Sequence, residues 1–219
     1  MILDTLLMAM AMQAAQPVTD PKPAAWPEPE REMPGGNRLG EGSSTVARST
    51  LEKLGACAAR SSPDEARRVL TMDFKTTTYR RALNMLGDAN TRCAGFKGTL
   101  RSANLLFAGE LAEAMLEREQ APLGARLAKA AAAPATPAFS FTDKVAICVV
   151  RSVPDEVATL MATTRDSAEE TRSLDGLTVA MSMCAKAAQA RRQLEINPAG
   201  LRAMLATASY RSLEGAKAS

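Results

Sequence analysis

The thiols of this 219-residue chain are Cys57, Cys93, Cys148 and Cys184, and they fall into two pairs of equal spacing. Cys93 follows Cys57 by 36 residues, and Cys184 follows Cys148 by 36. Thiols offer metal ligation, redox exchange or a structural disulfide. Zinc asks for clustered ligands, and the chain has neither a Cys-x-x-Cys pair nor any histidine. Redox exchange asks for two cysteines close together, which the sequence also lacks. Two readings remain. Either Cys57–Cys93 and Cys148–Cys184 are disulfides, or the four are buried thiols acting as small hydrophobes. A disulfide closing such a loop stabilises by roughly 3–4 kcal/mol in the chain-entropy account and belongs to an oxidising compartment.

The residues after the first cysteine of each pair also repeat. Cys57-Ala58-Ala59-Arg60-Ser61-Ser62-Pro63-Asp64-Glu65 returns as Cys148-Val149-Val150-Arg151-Ser152-Val153-Pro154-Asp155-Glu156. Arg60 and Arg151 are thus the recurring cations. One reading gives them an anion or ligand contact on each repeat. The other has them pair with the following acids or cover helix-end carbonyls, and this is the reading preferred here.

Other candidate motifs fail on chemistry. Thr50-Leu51-Glu52-Lys53 departs from the Ser-x-x-Lys pattern by placing Thr where Ser is needed, and the companion elements are missing. Glu169-Glu170 is explained by a helix start. Met181 and Met183 read as core filler. The glycines at 35, 36, 40 and 42 follow no strand, so they do not read as a phosphate loop. With no nucleophile, base and oxyanion donors that assemble, the sequence points away from an enzyme, and it implies no cofactor and no metal.

Composition sets the frame. Apolar residues make up 46% of the chain and aromatic residues 4%, so a core must be built from Ala, Leu, Met and Val. That favours close-packed helices over sheets. The net charge is +3. Residues 51–119 carry 11 basic and 9 acidic groups, and 139–219 carry 10 and 9. Neither stretch has the one-signed patch of a nucleic-acid binder.

The front of the chain reads differently. Residues 1–15 hold a short apolar run from Thr5 to Met12, too short to span a bilayer and suited to a signal-peptide core, although Asp4 stands where Lys or Arg is usual. No transmembrane span is expected in the mature chain. Residues 16–44 contain Pro17, Pro21, Pro23, Pro27, Pro29 and Pro34 followed by glycines, an extended or disordered arm carrying Trp26.

The remainder reads as an all-α fold, a tandem duplication of a roughly 70-residue four-helix repeat. Repeat one spans 45–118. Its helices are expected over about 45–60, from Pro63 to Met72, over 78–94, and from the turn at 95–98 to Arg118. Ser61-Ser62 reads as a cap, Pro63 as the first helical residue, and Asp64-Glu65 as its acidic first turn. An Ala/Pro linker follows over 119–138, whose first half, Leu123 to Lys129, can prolong a helix. Repeat two spans 139–214. Phe141, Val145 and Cys148 share one helix face, Pro154 opens the second helix, and Ser167 with Glu170 makes a capping box. Leu174, Leu177, Met181 and Cys184 line the third helix, and Asn197-Pro198 opens the fourth.

This pattern of Cys-x-x-Arg-x-x-Pro, Leu at 83/174 and 86/177, a second Cys, and a late Leu-Ala-x-Ala helix resembles an uncharacterised family of alphaproteobacterial exported helical-repeat proteins. The likeness covers Leu54–Arg118 and Ala146–Ser212. It implies a leader peptide and paired cysteines. A glycine early in the last helix, usual in that family, is matched by Gly109 and replaced by Ala203.

The expected role is a non-catalytic structural or protein-interaction module of the bacterial cell envelope, periplasmic or secreted, with a protein partner. The alternative is an envelope small-ligand binder or enzyme whose pocket lies between the repeats and uses Arg60 and Arg151. A cytoplasmic reading would make the leader an ordinary helix and the cysteines thiols.

Overall fold

The computed structural model describes residues 45–95, 104–189 and 196–218, apart from the side chains of Thr45, Cys93, Ala94 and Ala218. The leader over 1–15 and the proline-rich arm over 16–44 lie outside the described residues. Those that are described belong to one compact unit, all helical, with no strand among them.

The first helices follow the expected order. Helix α1 is Thr45–Ser61, α2 is Pro63–Thr71, α3 is Thr77–Asn90 and continues into a 3-10 turn at Thr91–Ala94, and α4 is Asn104–Leu116. Pro63 occupies the first turn of α2, with Asp64 and Glu65 beside it. The Ser62 side chain makes no capping hydrogen bond. Its amide instead donates to Ala58 O at 2.9 Å, so α1 runs almost directly into α2 and the proline alone marks the break.

Residues 119–138, expected as a linker, contain a separate helix, α5, Leu123–Ala132. Gly124, Leu127 and Ala130 are buried there, and α5 packs on the helices that follow it. The alanine run builds a helix because nothing in Leu123–Ala132 breaks it, and Pro134 stands just beyond its end.

Helix α6 is Phe141–Ser152, α7 is Pro154–Ala162, α8 is Ala168–Gly176, α9 is Thr178–Ala187 and α10 is Pro198–Ala218. The third helix of the second half, expected to be continuous, is broken at Leu177. The preceding Gly176 stands where the first half has Met85, and a glycine inside a helix costs about 1 kcal/mol relative to alanine. The capping residues recur at the duplicated spacing. Thr76 Oγ1 accepts from Tyr79 N at 3.1 Å, and Ser167 Oγ accepts from Glu170 N at 3.1 Å. Asn197 Oδ1 accepts from Gly200 N at 2.7 Å, the expected cap ahead of Pro198.

The core forms around the two last helices. In α4, Leu106 through Glu113 are all buried, together with Met115 and Leu116. Helix α4 lies against α10 and α1, and α6 also packs on α10. A single apolar cluster runs through both halves, from Leu51 and Leu83 through Leu111 and Leu205 to Val149 and Leu160. The two halves therefore share one interior.

Candidate functional site

After Asn104, helix α4 is apolar except for Glu110 and Glu113, and both are buried. Burying a carboxylate is costly unless it is paired and hydrogen-bonded, and the fold supplies cations from three other segments. Arg202 on α10 has a side chain only 2% exposed. It grips Glu113 with two bonds, Nε to Oε1 at 2.8 Å and Nη2 to Oε2 at 2.7 Å. Its remaining donors reach Glu170 Oε1 at 3.1 Å, Thr163 Oγ1 at 3.0 Å, and the carbonyls of Met161 at 3.2 Å and Thr163 at 3.1 Å.

Arg48 on α1 forks onto Glu170 in the same way, at 3.0 and 2.9 Å, and also pairs with Asp166. The planar guanidinium matches two carboxylate oxygens, which makes such pairs strong and directional. Asp166 reaches this position from a left-handed backbone, φ 61°, a conformation that aspartate tolerates better than most residues. Its amide donates to Glu170 Oε2 at 2.7 Å. In the expected capping box this carboxylate would turn back to the Ser167 amide. It accepts instead from the amide of Asp166, one residue before Ser167, and both its oxygens also take arginine N–H groups.

Arg165 completes the network. It donates to Glu110 Oε1 at 3.0 Å, Glu113 Oε2 at 3.0 Å and Glu52 Oε1 at 2.9 Å. Glu110 Oε2 lies 2.5 Å from Arg165 Nη2 but takes no hydrogen bond. Burial, then the neighbouring Glu113 charge, push the Glu110 carboxyl up to about 7 against the pull of Arg165 and Arg202. Burial also works against Glu170, but the Arg48 hydrogen bonds and the Asp166 amide hold it below the ordinary carboxylate range. Burial opposes the Arg202 charge, and Glu113 and Glu170 more than offset it, so its pKa rises. Beside Glu110 is a cavity of about 10 Å³, bounded in part by Arg48, Glu113, Arg202 and Gly109. That is room for about one water.

The positions 91 residues away in the other half hold different chemistry. Arg48, Arg165 and Glu170 correspond to Phe139, Phe74 and Tyr79, 91 residues away in each case. Phe74 packs edge-on against Tyr79 and Phe139, with ring centroids 6.5 and 5.7 Å apart. Arg211 stacks 4.0 Å above Phe139 and forks onto Asp143 at 2.7 and 2.8 Å. The first cluster is joined by charges, the second by rings together with the Arg211–Asp143 pair.

The residues singled out from sequence take other places. Arg151 donates to the carbonyls of Ala130, Ala131 and Ala133 at 3.3, 2.8 and 2.9 Å, closing the end of α5. Arg60 is exposed in the last turn of α1. The two do not meet, and neither lines the cavities described here. Cys148 and Cys184 form a disulfide between α6 and α9, with Cα atoms 5.7 Å apart. Cys57 is buried on α1, and α1 packs against the 3-10 turn that carries Cys93. The expected Cys57–Cys93 pairing itself rests on the Cys93 side chain, which is outside the described residues.

A second, larger hollow of about 380 Å³ opens between α2 and α10. Arg67 and Thr71 line one wall and Arg211 and Glu214 the other, with Pro137 and Phe139 between them. No family model, curated protein or solved structure matches this chain. Among the described residues no group of acids and cysteines is arranged to hold a metal ion, and no helix is long and apolar enough to cross a membrane.

Sequence reasoning missed the ion network. Its strongest available signal was Glu110 and Glu113, two acids three residues apart in the otherwise apolar stretch Leu105–Leu116. A helix apolar on every side is buried, so charges within it require partners.

Proposed function

We propose that this chain is a non-catalytic structural or protein-interaction module of the bacterial cell envelope. The observation that carries this reading is the closed chain Arg48–Glu170–Arg202–Glu113. Its arginines and carboxylates are turned inward onto one another, across helices far apart in sequence. Groups held this way join the two halves of the fold and present no nucleophile, base or free cation to a substrate. The Cys148–Cys184 disulfide supports an oxidising compartment. Exposed Val179 and Met183, 69% and 66% accessible on α9, are the kind of apolar side chains that a protein partner covers.

The test is made in cells. The full-length protein is expressed with a photo-crosslinking residue at Val179 or Met183. The cells are then fractionated, and the protein is digested without reductant. The reading expects recovery in the envelope fraction, an intact Cys148–Cys184 bridge, and a discrete crosslinked protein at either position. Cytoplasmic protein with alkylatable thiols, or no crosslinked protein from either position, would overturn it.

A further inference from the structure

We infer that the outer side of α9 is a self-association face, on which two copies of this chain pack antiparallel. The inference rests on the reading that Val179 and Met183 meet a protein, and it names that protein as a second copy. Helix α9 leans on the fold by one side only. Leu177 and Cys184 are buried there, and the Cys148–Cys184 bridge fastens that side to α6. Leu177 joins α8 to α9 with a right-handed backbone, and Met181 N still donates to Leu177 O at 2.9 Å, so the helical register carries across the break. At 3.6 residues per turn, the side opposite Leu177 holds Asp175, Val179, Ser182, Met183 and Lys186. All five are exposed.

The first half does not share this stripe. The positions 91 residues before Val179 and Met183 hold Asp88 and Arg92, also exposed. Asn84 and Gly95 stand where the second half has Asp175 and Lys186. A charged pair suits a helix side that faces water. Two large apolar side chains at the same exposed positions suit one that is covered.

The order of residues along the stripe says what covers it. It reads acid, apolar, apolar, base. Among the described residues, Asp175 and Lys186 make no ion pair. Laid antiparallel on a second copy, Val179 meets Met183 and Asp175 meets Lys186, each contact occurring twice, as a two-fold interface requires. A parallel alignment would set Asp175 on Asp175 and Lys186 on Lys186. The apolar pair supplies the attraction and the flanking charges set the direction. From Asp175 to Lys186 the stripe is about 17 Å long, so the contact is small and the dimer weak.

The test is analytical ultracentrifugation of the purified full chain without reductant. The inference expects a reversible monomer–dimer equilibrium with a Kd on the order of 100 µM or tighter. Val179→Lys together with Met183→Lys should leave only monomer. Asp175→Lys and Lys186→Asp each place like charges opposite one another, and each should weaken association by about tenfold or more. Mixing these two variants should restore it, because each chain then offers the charge that the other lacks. All four positions are exposed, so the fold should persist, which circular dichroism checks. A parent chain still monomeric at about 1 mM would overturn the inference. Single variants that associate like the parent, or a mixture that fails to recover, would do the same. Monomer in the centrifuge with a different protein crosslinked at Val179 in cells would overturn this inference and leave the reading above intact. A dimer in the centrifuge with protein recovered from the cytoplasm would do the reverse.

Discussion

Gly109 on α4 and Ala203 on α10 touch where the two helices cross, and they are corresponding residues of the two halves. A Cβ built on Gly109 would lie 2.6 Å from the Ala203 Cα. The small pair lets the backbones approach, and the core leaves no slack there. Gly109→Ala should therefore destabilise by about 1–3 kcal/mol, despite the better helix propensity of alanine. Adding Ala203→Gly to it should recover part of the loss. Urea unfolding of the two variants measures both effects. A Gly109→Ala protein as stable as the parent would show that the crossing can relax.

Arg202 carries the most heavily bonded side chain of the ion network. Removing it leaves Glu113 buried with Arg165 alone and Glu170 with Arg48 alone, one counter-charge short in each case. Arg202→Met should cost about 3–5 kcal/mol. Arg202→Lys should cost nearly as much, because a single ammonium cannot fork onto Glu113 while also reaching Thr163 and Glu170. Thermal and urea unfolding should show both losses. A lysine variant close to wild type would mean that charge alone, without the fork, holds this site.

Much of the local structure could be read from the chain. Pro63, Pro154 and Pro198 each begin a helix, as the missing proline N–H dictates. Ser167 and Asn197 cap as their side chains suggest. The helical class follows from alanine-rich, aromatic-poor composition. What could not be read was which faces meet. Nothing local in Arg48 says that its partner lies 122 residues away in Glu170, because a charged residue at a helix start looks the same whether it is solvated or paired. Leu123 to Lys129 reads as able to prolong a helix, but nothing local says that it forms a separate one reaching Ala132. Arg60 and Arg151 drew notice by recurring, yet recurrence reports shared ancestry of position as readily as shared chemistry.

Helix α9 depends on its disulfide. Cys184 is its one buried residue, and it packs mainly on α6, to which the bridge to Cys148 ties it. Loss of the bridge removes about 3–4 kcal/mol of chain-entropy stabilisation. In the Cys148→Ser/Cys184→Ser variant, the amides of α9 should exchange with solvent much faster than those of α4 and α10, which keep their packing. Hydrogen exchange read by mass spectrometry distinguishes this from general unfolding. Equal acceleration in α4 and α9 would show that the bridge supports the whole interior.

Glu110 sets the pH dependence near neutrality. Burial and the Glu113 charge raise it to about 7 in the folded protein, against an ordinary value of 4.5. Folded protein thus holds the Glu110 proton over a range where unfolded chain has released it. The stabilising contribution is complete below about 4.5 and is lost as pH rises through about 7. Glu170 runs the other way. Its pKa is lowered, so its contribution is present above 4.5 and fades only as the solution becomes more acidic than that. The two windows therefore separate. Between pH 5 and 8 the wild-type protein should lose stability by about 2–3 kcal/mol from this group. Glu110→Gln keeps an oxygen to accept from Arg165 Nε and removes the titration, so its stability should stay nearly level across that range and exceed that of wild type at pH 8. Urea unfolding at pH 5, 6, 7 and 8 measures the two slopes. The same slope in both proteins would place the titrating group elsewhere in the network.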